Sequence, residues 1–271
     1  MNFLKLADGV SGLFPRKIKI DLIRSSTGQK EDSLVIREDL IPETFNKPTL
    51  LEIKKHIWRV VDAKVTRDGS YFFSKRLQLY VEDPDQFQIG DRFMVPSRPA
   101  IFPFMQETNV TDEQTMLHID EWREFEFLPV KMASAIHEEI LSIEAILNAE
   151  TNANTLLGYD RFLNRNALFD NALQISVDDF IEVTEGFMKG KVCVKSRGVV
   201  ENSFVIESSS ATYYGLCTEG MITELSMLYF DSVDDELITL LTTFNLVAID
   251  WSGAKIYMEP TNDREETAIK I

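Results

Sequence analysis

Lys17-Ile18-Lys19-Ile20-Asp21-Leu22-Ile23 alternates charged and apolar residues, the period of two that a strand with one wet face requires. Residues 57–65 carry three Val and the aromatic Trp58 and read as a second strand. Arg67-Asp68-Gly69-Ser70 follows, and Asp-Gly favours a tight hairpin because both central residues tolerate positive φ. The return strand spans 71–81, with Leu77, Leu79 and Val81 on one face. Gln88-Ile89-Gly90-Asp91 is a further turn signal, and 92–95 a short strand. Pro96, Pro99 and Pro103 then break the chain into loop, since proline cannot donate to a ladder. Residues 115–128 read as one strand crossing His118, Trp122, Phe125 and Phe127.

The periodicity changes at Pro129. Residues 131–149 contain neither Gly nor Pro, and Ile136, Ile140, Ile143 and Leu147 fall on one helical stripe. The polar run 148–154 ends this helix and is the best linker candidate. Beyond it, Ser176-Val177-Asp178-Asp179 and Ser232-Val233-Asp234-Asp235 each place a capping side chain and carboxylates at a helix start. The first helix carries Phe180, Ile181 and Val183 and is expected to stop at Gly186. The second carries Leu237, Leu240, Leu241 and Phe244. Strands are expected at 191–196, 199–207, 222–230, 246–249 and 255–258, and a charged tail at 261–271. The two Ser-Val-Asp-Asp starts are open to two readings, an internal α–β duplication or independent use of good caps.

The fold class this pattern predicts is α+β: a β-rich N-terminal half, a long amphipathic helix, and a mixed α/β C-terminal half with antiparallel strands. The division is 1–129 as a β-rich region, 130–150 as a connecting helix and 151–271 as an α+β region.

Composition narrows the function. The 271 residues hold 28 Lys+Arg against 44 Asp+Glu, a formal net charge of −16. A field of that sign repels phosphate, so no direct nucleic-acid contact is expected. The uncharged stretch 237–249 is 13 residues long, below the roughly 20 a membrane-spanning helix needs, and no membrane contact is expected. The first residues lack a basic segment followed by an apolar core, so a secretory leader is not expected. Cys193 and Cys217 make no disulfide framework, and a cytoplasmic location is the expectation.

Candidate chemistry is sparse. His56, His118 and His137 lie in three separate elements, and no His-x-x-x-His, Cys-x-x-Cys or His-Glu-x-x-His spacing occurs. Gly-x-Ser-x-Gly, the Walker loop and Gly-x-Gly-x-x-Gly are also absent. Asp231, Asp234, Asp235 and Glu236 cluster at a helix start without the calcium-loop spacing, so capping is the simpler role. No catalytic residue, cofactor or metal is nominated.

One segment stands apart. His118-Ile119-Asp120-Glu121-Trp122-Arg123-Glu124-Phe125-Glu126-Phe127-Leu128 combines Trp, two Phe, Arg and four acids. Trp and Arg are the residues from which interface hot spots are built. Asp120, Glu121, Trp122, Arg123 and Glu124 are therefore the candidate partner-binding residues, and the expected partner is a basic protein. The competing reading is a strand with Phe125 and Phe127 in the core and its charges in water. The functional expectation is a non-enzymatic protein-binding protein, for instance an inhibitor or immunity-type protein that blocks a basic partner. The alternatives are a structural subunit of a phage or secretion assembly, and a hydrolase using a carboxylate site.

Overall fold

The computed structural model describes residues 2–5, 17–37, 41, 45, 48–54, 56–65, 75–84, 92–107, 114–149, 155–228, 230 and 232–258. The turns expected at 67–70 and 88–91, most of the expected linker 148–154, Asp231 and the tail 261–271 lie outside them. The fold is α+β. The chain divides into two compact units, residues 1–95 with 147–161 and residues 96–146 with 162–271. The change of periodicity at Pro129 marks a step from strand to helix within the second unit.

In the first unit, six strands form one sheet: β1 (Asn2–Lys5), β2 (Lys17–Arg24), β3 (Lys30–Arg37), β4 (Thr49–Ile53), β5 (His56–Val65) and β6 (Arg76–Glu82). Their order is β1-β4-β5-β6-β2-β3. The pairs β1–β4 and β2–β6 are parallel and the rest antiparallel. Alternation decides the buried face: Ile18, Ile20 and Leu22 meet Leu34, Ile36, Leu77, Leu79 and Val81 in one apolar cluster.

The second unit contains β7 (Ser97–Pro99), β8 (Met105–Gln106), β9 (Gln114–Leu117), β10 (Phe125–Pro129), α1 (Ala133–Ala149), β11 (Leu163–Arg165), β12 (Ile175–Ser176), α2 (Val177–Thr184), β13 (Phe187–Val194), β14 (Gly198–Val200), β15 (Ser203–Glu207), β16 (Thr212–Thr218), β17 (Met221–Leu228), α3 (Asp235–Phe244), β18 (Leu246–Asp250) and β19 (Lys255–Tyr257). The boundary between the units crosses α1 after Ile146. The main sheet runs β19-β18-β10-β17-β16-β15-β13-β14-β8, with β12 added to β17 and β9 to β13. The proline-rich stretch expected as loop contains β7, which pairs in parallel with β11.

Period two sorts the main sheet into two buried faces. Phe125 and Phe127 of β10, Phe204 and Ile206 of β15, Tyr213 of β16 and Leu225 of β17 point to one side. There α2 and α3 cover them with Phe180, Leu237, Leu240 and Leu241, and Phe180 stacks on Phe244 at 6.1 Å. The intervening residues, Glu126, Val205, Tyr214, Glu224 and Ser226, are also buried and take the opposite side. A sheet covered on both faces must satisfy whatever polar groups it turns inward.

Ser176 Oγ caps α2 by accepting from the Asp179 amide, as expected. In the second Ser-Val-Asp-Asp run the cap is Asp234, two residues beyond the Ser, with Oδ1 accepting from the Leu237 amide at 2.8 Å. The two runs therefore act in different registers. The left-handed residue ending α2 is Glu185 (φ 49°) rather than Gly186.

Gly215 is fixed by close approach. A Cβ there lies 1.9 Å from the Glu224 carbonyl oxygen across the β16–β17 ladder. Gly215→Ala is expected to destabilise the chain by about 1–3 kcal/mol, because the strands must part. The check is the urea midpoint at unchanged slope; an unshifted midpoint contradicts this register.

Candidate functional site

The segment expected as a single strand is instead three pieces. β9 ends at Leu117, a 3-10 turn spans Ile119–Glu121, and β10 begins at Phe125. The cause is local hydrogen bonding. His118 Nδ1 accepts from the Asp120 amide at 3.3 Å, and Glu121 Oε2 accepts from the His118 amide at 2.6 Å, a reciprocal capping box. Arg123 then takes a left-handed backbone (φ 58°), a conformation uncommon outside glycine. The strand alternation that would set Trp122 on one face with Asp120 and Glu124 is lost.

The turn points its charges inward. Asp120, Glu121, Trp122 and Arg123 are all buried, and only Glu124 keeps partial exposure. Arg98 pairs with Asp120 at 2.6 Å. Tyr214 latches the turn from β16: its hydroxyl donates to the Glu121 carbonyl at 2.6 Å and accepts the Arg123 amide at 3.0 Å. Glu124 Oε1 receives the Ser252 hydroxyl at 2.6 Å, and the Glu124 carbonyl receives the Trp251 amide at 3.1 Å.

The Arg123 side chain, 2% exposed, reaches back along β10. Its Nε donates to Glu126 Oε1 at 2.7 Å, and Nη2 binds the same oxygen and the Phe169 carbonyl. Its Nη1 binds Asp170 Oδ1 and lies 3.3 Å from Glu224 Oε1. A second arginine completes the cluster. Arg165 Nη1 donates to the Arg123 carbonyl at 2.7 Å and sits 3.4 Å from Glu126 Oε2, with its guanidinium 5.0 Å over the Trp251 ring. Trp251 Nε1 donates to Glu126 Oε2 at 2.8 Å. Two guanidinium groups thus meet three carboxylates on the face of the sheet opposite α2 and α3.

Burial moves the ionisable groups in opposite senses. It pushes Glu121 up from 4.5 to about 7, although the His118 amide opposes the shift. It raises Glu224 too, against the pull of Arg123. Burial alone would lower Arg123, but Glu126, Glu224 and Asp170 outweigh it and hold the guanidinium firmly protonated. Arg165 is pushed down to about 10 by burial, with Glu126 opposing. His118 is lowered mainly by burial, in keeping with an Nδ1 that accepts a hydrogen bond.

This arrangement is suited to holding segments together. Arg123 spends all three of its guanidinium nitrogens on groups of the same chain and Arg165 its Nη1, while Arg165 Nε is buried without a partner, so the cluster ties β10, β17, the 163–170 segment and Trp251 into one body. The sequence reading missed Glu126, Arg165, Asp170, Glu224, Tyr214 and Trp251 as members. The available signal was a carboxylate inside an apolar run, Glu126 in Phe-Glu-Phe-Leu-Pro and Glu224 in Met-Ile-Thr-Glu-Leu-Ser-Met-Leu. Among the described residues no group of three or more His, Cys, Asp or Glu side chains converges as metal ligands would. Cys193 and Cys217 are free thiols. No helix among the described residues is long and apolar enough to cross a membrane. No protein-family model, curated protein or solved structure matches the chain.

Two outcomes follow from this geometry. Arg123→Ala is expected to cost about 3–5 kcal/mol, since it strands buried carboxylates, and Tyr214→Phe about 1–3 kcal/mol, since it orphans a buried amide and carbonyl. Chemical denaturation reads both, and near-native stability of either contradicts the cluster. The second concerns pH. A carboxyl whose folded value is raised contributes stability that is complete below pH 4.5 and lost as pH rises to about 7. Over that window Glu121 is expected to withdraw about 3 kcal/mol. Glu121→Gln keeps the capping oxygen and removes the charge, so its unfolding free energy should fall less steeply over the same range. Parallel pH profiles for the two proteins would refute this.

Proposed function

We propose that this chain is a non-enzymatic protein-binding protein that engages a basic protein through its negative exterior, blocking that partner or holding it in an assembly. The observation that carries the reading is the charge of the helices. α1, α2 and α3 together hold eight carboxylates and no lysine or arginine. Burial does not cancel the excess, because among the described residues three arginines (Arg59, Arg123 and Arg165) and four acids (Asp120, Glu121, Glu126 and Glu224) are buried. A net charge of −16 therefore acts largely from outside the core. A one-sign surface speeds encounter with an oppositely charged protein and fixes its orientation, while repelling phosphate backbones and other acidic chains.

The inward-facing residues 120–123 are a poor place for that contact, and partner binding belongs to the exposed helical acids instead. The test is to retain proteins from a cell extract on the immobilised full chain, purify any retained basic protein, and remix the two. A discrete stoichiometric complex on gel filtration, with a dissociation constant that rises steeply with salt, is the expected result. Retained proteins that form no stoichiometric complex when purified, or a complex indifferent to salt, would contradict the reading.

A further inference from the structure

Beyond the general charge, one surface combines apolar exposure, a half-paired strand and a row of exposed carboxylates. β13 pairs with β15 over Phe187–Gly190. A bulge between Met188 and Gly190 re-aims the strand. From Lys191 to Val194 it gains β9 on its other side. Over Phe187–Lys189, among the described residues, β13 has a ladder partner on one side only. Its side chains there are unusually apolar for so open a place: Phe187 is 59% exposed and Met188 46%. Met188 lies opposite Ile206, on the sheet face that α2 covers, and Phe187 lies opposite Glu207 on the other. An edge with exposed apolar groups on both faces is a template for an added strand.

The neighbouring charge selects what is added. Asp178, Glu182 and Glu185 follow at i, i+4 and i+7 along α2 and its cap, and all three are exposed. They sit in the residues leading directly into Phe187. β13 carries two exposed lysines: Lys189, paired with Glu207, and Lys191, beyond the bulge in the part of the strand that β9 pairs. A lysine or arginine of an incoming segment would meet carboxylates that have no ion-pair partner among the described residues, while its apolar residues cover Phe187 and Met188. An aromatic and methionine centre with a charged rim is how stable contacts are commonly built.

We infer that the Phe187–Lys189 edge of β13, with the Asp178–Glu182–Glu185 stripe, is the docking surface for an extended segment of a basic protein in which Lys or Arg alternates with apolar residues. The segment joins the sheet as an added strand. This rests on the protein-binding reading above, and names its surface and the chemistry of its partner.

The probe is a labelled peptide Lys-Val-Lys-Phe-Lys-Val-Lys, with Glu-Val-Glu-Phe-Glu-Val-Glu as its counterpart, titrated into the full chain by fluorescence anisotropy at about 0.15 M salt, where charges beyond about 8 Å are screened. The basic peptide is expected to bind and the acidic one not. Phe187→Ser with Met188→Ser, and separately Asp178→Asn with Glu182→Gln, should each weaken binding about tenfold or more. Glu107→Gln with Glu201→Gln, two exposed acids outside the helices, should leave it unchanged. Asp178→Lys with Glu182→Lys should transfer preference to the acidic peptide, a gain that misfolding cannot imitate. Amide exchange of the full chain should show Phe187–Lys189 fast when free and protected with the basic peptide. If the peptide binds undiminished after the Phe187 and Met188 changes, or those amides are already as protected as Val192–Val194 in the free chain, this surface is wrong while the protein-binding reading stands. If the native chain binds no basic probe at all, this surface is wrong, and the protein-binding reading falls with it only where the extract experiment also yields no stoichiometric complex.

Discussion

The Arg123 guanidinium, held between Glu126, Asp170 and Glu224, is the constraint on which the second unit depends. β10 and β17 are neighbours in the sheet, and each turns a carboxylate into the same buried face. Two such charges repel one another at close range, and burying either without a partner costs several kcal/mol. A single planar cation with five donors resolves both. It reaches them from a turn that ends in a left-handed residue just before β10. The turn is held by the His118–Glu121 capping box and by the Tyr214 hydroxyl. Strand register, turn geometry and side-chain charge are therefore one structural statement. Sliding β10 by one residue would bring Phe125 and Phe127 to the charged face and Glu126 into the apolar one.

Closing these charges inward leaves the sign of the exterior intact, because Arg123 and Arg165 are matched inside by Glu126, Asp170 and Glu224. The helices carry acids alone, and the caps of α2 and α3 place several of them at the positive end of a helix dipole. The same residues thus stabilise the helix starts and give the surface its sign. Protein binding through charge complementarity asks for nothing more elaborate than this, because steering depends on the summed field as well as on individual contacts.

Much of the architecture was legible from the order of apolar residues. The alternation in 17–23, the Leu77, Leu79 and Val81 face, the stripe of α1 and the Leu237–Leu241 face of α3 all bury as their spacing requires. Along α1 the register slips at the end, where Ile146 rather than Leu147 is buried. β3, β4 and β16 were less visible, because charged or polar residues interrupt their apolar pattern. The 118–124 turn escaped because nothing in its composition distinguishes a left-handed arginine from one on a strand. The ion cluster was hidden for a different reason. Arg123 meets Asp170 across 47 positions and Tyr214 across 91, and Trp251 meets Glu126 across 125. Only the finished sheet brings these together. The hot-spot composition of 120–124 is the composition of a buried junction as much as of an interface, since both concentrate arginine, tryptophan and acids.

The most direct measurement is a double-mutant cycle between Arg123 and Asp170. Unfolding free energies of the parent, Arg123→Ala, Asp170→Ala and the double variant isolate the coupling between two residues that meet only through the fold. A guanidinium that ties the turn to the 163–170 segment predicts that the double variant loses at least about 1.5 kcal/mol less than the sum of the single losses. Additivity to within about 0.5 kcal/mol would mean the two charges act independently, and the constraint placed at the centre of this structure would not exist.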